Sequence, residues 1–131
     1  MQGINAWAIV VAALAAFVAS SAWYVAFAQQ RAQFSSGSVA VDARPQPTKM
    51  LAEVIRNVIL ALVLAYLVAH LGVENWLGAL GFGLLAWVGF PLILLSGSVM
   101  WENVPWKLAA LHAGDWLVKL LLIALIVGVW R

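Results

Sequence analysis

The chain has 131 residues, of which 66% are hydrophobic and only 9% charged. A water-soluble domain carries roughly a quarter charged residues, so this chain cannot clothe itself for water, and lipid is its natural solvent. Its net charge of +2 comes without a basic run, which argues against nucleic acid, and the absence of cysteine excludes disulfides, thiolate metal sites and cysteine nucleophiles.

Four apolar stretches, at 4–28, 50–71, 76–99 and 104–130, are each long enough as helices to span roughly 30 Å of hydrocarbon. In the first, Ala8, Ala12, Ala16 and Ser20 recur every four residues as a ridge of small side chains. In lipid such a ridge promotes close helix approach, within one chain or between two. Ala26-Phe27-Ala28 resembles a signal-peptidase site, but "MQGINAW" carries no basic residue and the apolar run is long, so a retained span is expected. The polar segment 29–49, "QQRAQFSSGSVAVDARPQPTK", reads as a loop from its Ser/Gly cluster and Pro45-Gln46-Pro47.

The second stretch opens with Glu53, Arg56 and Asn57 on a stripe that continues through Leu60, Leu64, Leu67 and His70. The third is glycine-rich ("LGALGFG") and contains Pro91, which cannot donate to the carbonyl of Trp87, so a kink is expected there. Its glycine spacing is wrong for a dinucleotide fingerprint. The fourth is expected to start with Asn103 as N-cap and Pro105 just inside. The connections "GVEN" and "SVMWENVP" are short, which predicts an all-α, antiparallel four-helix bundle in the membrane, a single transmembrane domain over 1–131.

Arg31, Arg44, Lys49 and Lys107 fall on one side of that bundle and only Arg131 on the other. The positive-inside rule then puts the 29–49 loop in the cytoplasm and both termini on the non-cytoplasmic side. Trp7, Trp76 and Trp130 at one interface, and Trp23, Tyr24, Trp101 and Trp106 at the other, read as aromatic belts.

The last stretch, "LHAGDWLVKLLLIALIVGVWR", sets His112, Asp115 and Lys119 on one stripe. Measured from Lys107, Asp115 lies roughly 12 Å and Lys119 roughly 18 Å into the bilayer. A central Asp or Lys costs about 2.5–3.5 kcal/mol to insert, so two unpaired charges would cancel most of what the neighbouring aliphatics return. They are expected to pair. The predicted network joins Arg56, Asn57, His112, Asp115 and Lys119, with Glu53, Glu102 and Lys107 closing its cytoplasmic mouth and Ser20, Ser21 and Ser96 in the same layer. Intramembrane ionisable groups serve proton relays and ion paths, or fix helix register. Register is the leading reading here: a non-enzymatic scaffold or accessory subunit, with a small proton or ion channel or transporter as the alternative and a lipid-modifying enzyme third. No HExxH, GxSxG or Walker motif is present, and no cofactor or metal is expected. The expected partners are the lipid bilayer and a second copy or a larger membrane complex, in a bacterial inner membrane.

The opening "NAWAIVVAALAAFVASSAWY", then "AWVGF", "WENVPWKLAALHAGDWLVKLL" and the terminal "GVWR", resemble a bacterial family of small four-helix membrane proteins known as domain of unknown function 1761. The resemblance implies the four-span fold and brings no established activity. Many members carry Asn and Tyr where this sequence has His112 and Asp115, so the resemblance does not extend to the charged network.

Overall fold

A computed structural model describes residues 5–34 and 47–130. Six helices follow in chain order: α1 (Ala6–Ala26), α2 (Ala28–Phe34), α3 (Pro47–His70), α4 (Trp76–Gly89), α5 (Pro91–Trp101) and α6 (Trp106–Val129). No strand occurs among the described residues. With α4 and α5 taken as one stretch, four helices of 21, 24, 26 and 24 residues are long and apolar enough to cross a membrane.

Local chemistry sets the boundaries. The Asn5 side chain accepts from the Trp7 N–H at 2.9 Å and caps α1. The segment expected to be a loop from 29 onward begins instead as α2, with the Arg31 N–H donating to the Phe27 carbonyl at 2.8 Å across the break. Its Ser/Gly-rich part and Arg44, like Arg131, lie outside the described residues. At its far end α3 closes on Gly72, whose φ of 72° permits the Val73 N–H to reach back to the Val68 carbonyl at 3.2 Å. This is a Schellman cap, and glycine suits its left-handed position. Asn75 then caps α4 by accepting from the Gly78 N–H at 2.7 Å.

The third apolar stretch breaks at Phe90, between α4 and α5, where Pro91 opens the second segment and supplies no N–H to Trp87. Asn103 is not the cap of α6. It adopts a left-handed φ of 59°, which Asn tolerates better than most residues, and turns the chain toward Pro105, the residue at the cap position.

The hub of the fold is α6, which packs against α1, α3, α4 and α5. Its second half lies in a dry core of Ile9, Ala12, Ala16, Ala61, Leu64, Ala65, Val68, Leu120, Ile123 and Val127. The ridge Ala8, Ala12, Ala16 and Ser20 is buried, so within the chain it is spent on packing α1 against its own neighbours. Close approach between α4 and α6 rests on Gly128, where a Cβ would sit 2.9 Å from the Cβ of Ala79.

Candidate functional site: a polar cleft beside the last helix

The first half of α6 is built differently. Asp115 and Lys119 are 5% and 4% exposed, which no unpaired charge sustains. The Ser20 hydroxyl on α1 donates to Asp115 Oδ1 at 2.7 Å. Lys119 Nζ lies 3.8 Å from Asp115 Oδ2 and 3.5 Å from Glu53 Oε1 on α3. Arg56 closes the series, with Nη1 2.8 Å from Glu53 Oε2. The polar series Ser20–Asp115–Lys119–Glu53–Arg56 thus ties α1 to α6 and α6 to α3.

A second set of bonds runs beside it. The Tyr24 hydroxyl and His112 Nδ1 are 2.6 Å apart, and the Arg31 guanidinium lies over the Tyr24 ring at 4.9 Å from its centroid. Two indoles donate to main-chain carbonyls of α6: Trp23 Nε1 to Leu111 at 3.1 Å and Trp87 Nε1 to Ala113 at 2.8 Å. Gly114 makes room for the first, since a Cβ there would fall 2.5 Å from the Trp23 ring. Three helices are therefore keyed into one layer of α6, between residues 111 and 119.

These side chains do not fill the space between them. A cleft of about 510 Å³ opens among them, with Ser20, Ser21, Tyr24, Arg31, Glu53, Arg56, His112, Asp115 and Lys119 as its polar lining and Phe17, Leu95 and Trp116 as its apolar walls.

The structure redistributes the expected roles. Arg56, His112, Asp115 and Lys119 reach one cleft, but Arg56 pairs with Glu53 on its own helix, its side chain 65% exposed, and does not reach Asp115. Glu53, expected at the mouth, stands inside the network as the second carboxylate for Lys119. His112 bonds Tyr24 and not Asp115. Asn57 is 1% exposed, does not line the cleft, and leaves Nδ2 without a partner among the described residues.

Glu102 and Lys107 do not close the mouth. Glu102 is an exposed residue just past α5, and Lys107 lies over the rings of Phe34 and Trp106 at 5.9 and 5.8 Å. The cause is helical geometry: eight residues separate Lys107 from Asp115, a rotation of about 80° away from the cleft face. Ser96 donates to the Ile93 carbonyl at 2.7 Å within its own helix and lines a different groove.

Tyr24 and Arg31 belong to the cleft although neither was singled out for it. Tyr24 follows Ser20 and Ser21 by one turn, a spacing that carried the signal, whereas Arg31 arrives through α2, which the polar composition of its segment concealed. Among the described residues no group of three His, Cys, Asp or Glu side chains is placed to hold a metal ion.

Four apolar helices around a buried ionic layer make this a small multi-pass helical membrane protein. The chain belongs to the family described as protein of unknown function (DUF1761), whose sequence profile matches residues 7–128. No curated protein and no solved structure matches it significantly.

Proposed function

We propose that this protein is a non-enzymatic, ligand-binding accessory component of a bacterial cytoplasmic membrane, built as an antiparallel bundle with both termini outside. The cleft is its binding site and opens toward the cytoplasm. The orientation rests on basic residues: Arg31, Lys49 and Lys107 stand at the cleft end of the bundle, while the 71–75 connection carries no Lys or Arg. As an accessory subunit the protein serves a larger membrane assembly or a second copy of itself.

The observation that carries the binding reading is the floor of the cleft. Beyond Lys119 come Leu120, Ile123 and Val127 on α6 and Leu64 and Val68 on α3, each at most 4% exposed. From Lys119 to Val127 this dry plug runs about 12 Å along the helix. An ion cannot cross such a plug without shedding its water, so the polar lining supports occupancy and not passage. The competing reading, a proton path, has the orphan Nδ2 of Asn57 in its favour, since that residue lies one turn beyond Glu53 in the direction of the plug.

The natural absence of cysteine supplies the test. Ser21→Cys in the cleft wall and Val68→Cys in the plug are exposed, in oriented vesicles, to a membrane-impermeant maleimide. Labelling of Ser21→Cys from the cytoplasmic face only, with Val68→Cys silent from both, is the expected result. Reaction at Val68→Cys, or a proton leak in reconstituted vesicles that falls with Asp115→Asn, would replace binding by conduction.

A further inference from the structure

The charges in the cleft are not evenly satisfied. Both carboxylates are engaged: Asp115 by Ser20 and Lys119, Glu53 by Lys119 and Arg56. Three cations, Arg31, Arg56 and Lys119, face those two acids, which leaves one positive charge over. Arg31 is the surplus cation. Among the described residues its guanidinium has no carboxylate partner and only the Tyr24 ring beneath it. Arg56 uses Nη1 on Glu53, and its side chain is largely exposed. Two guanidinium groups with spare N–H donors therefore line one cavity, and such forks suit the paired oxygens of a phosphate or carboxylate.

The shape adds a second constraint. At about 510 Å³ the cleft far exceeds a bare inorganic anion and falls among ordinary ligand pockets, which run roughly 300–1,000 Å³. Its apolar walls, Phe17, Leu95 and Trp116, lie beside the charged lining. The main packing of α3 is on α1 and α6, and that of α5 on α4 and α6, so a seam separates α3 from α5. Glu53 and Arg56 lie on one side of that seam and Leu95 on the other. A ligand with an anionic head and an apolar body fits both halves of this description.

Resting on the binding reading above, we propose that the cleft holds the phosphate of an anionic membrane lipid, gripped by Arg31 and Arg56, with its acyl chains leaving through the seam between α3 and α5. Lys119 stays with the carboxylates and sets the floor.

The test is competitive lipid retention, read by native mass spectrometry of the full-length protein in detergent with equal dioleoylphosphatidylglycerol and dioleoylphosphatidylcholine. Preference for the anionic lipid should be about tenfold. Arg31→Gln should bring it to parity, whereas Lys107→Gln, the same loss of charge at the same end but outside the cleft, should leave it intact. Equal loss in both variants would mean general attraction to a basic surface and would overturn the proposal. So would retention of both lipids alike by the unsubstituted chain. Displacement of the bound lipid by millimolar glycerol 3-phosphate, at full affinity and without a role for chain length, would move the site to a soluble phosphate ester and overturn the lipid assignment. In vesicles of phosphatidylcholine alone Ser21→Cys should label, and added phosphatidylglycerol should shield it from the maleimide. If it labels in phosphatidylcholine yet phosphatidylglycerol neither shields it nor is preferred, the ligand class fails alone; if it does not label even in phosphatidylcholine, the cleft fails with it.

Discussion

Along α6 the same helix meets its neighbours in two ways. From Leu120 to Val127 it packs with Ala12, Ala16, Ala61, Leu64 and Val68 in one buried apolar cluster. From Leu111 to Lys119 it meets Ser20, Trp23, Tyr24, Glu53 and Trp87 through directed polar bonds, and a large cavity is left among them. Small side chains gain from close approach alone and tolerate little added volume. Ion pairs fix rotation and depth at a few points and need not exclude space. The protein is thus held tightly at one end and specifically at the other, and the second arrangement leaves the cleft among its polar groups.

The sharpest way to break this comparison is to remove both carboxylates from Lys119. Glu53→Gln with Asp115→Asn strands a buried ammonium and should cost about 3–5 kcal/mol, more than the two single changes together, because each single variant leaves Lys119 one acid. Thermal unfolding in detergent reads it, and adding Lys119→Met should recover much of the loss. Strict additivity would mean that the two carboxylates act independently. Next comes the dry half: Ala12→Phe, at a site with no exposed surface, should destabilise by about 3 kcal/mol and lower the yield of folded protein. A neutral result there would show that α1 is not closely packed. Tyr24→Phe removes the hydroxyl from His112 and should cost only about 0.6–1 kcal/mol, seen as a small fall in melting temperature. Smallest of all, Glu102→Gln should stay within about 0.5 kcal/mol of the unsubstituted protein and leave cleft labelling unchanged, since its side chain faces away.

How much of this was legible in the sequence follows from what periodicity encodes. Hydropathy marks the four long apolar stretches, and Pro91 marks the break because a missing N–H is a property of the residue itself. Spacing along one helix puts Asp115 and Lys119 together, one turn apart. What periodicity leaves free is the rotation of one helix against another. That rotation decides that Ser20, and not Arg56, reaches Asp115, and that Glu53 stands beside Lys119 and not at the mouth. The pairing of Tyr24 with His112 joins residues 88 positions apart and depends on two such rotations at once. Arg31 was hidden for another reason: α2 is short and polar, with no apolar stripe to announce it.

The position of the hub in chain order has its own consequence. During synthesis α1, α3, α4 and α5 emerge before α6, the helix on which all four converge. Until it arrives, Ser20 and the indoles of Trp23 and Trp87 lack the groups they bond in the folded protein and Glu53 has only Arg56 of its own helix, while Asp115 and Lys119 have only each other until α6 enters among the earlier spans. Insertion of α6 is therefore a fitting step: a segment too polar to rest comfortably in lipid is drawn into a waiting assembly, and a defect in any earlier span leaves it stranded where membrane quality control would find it.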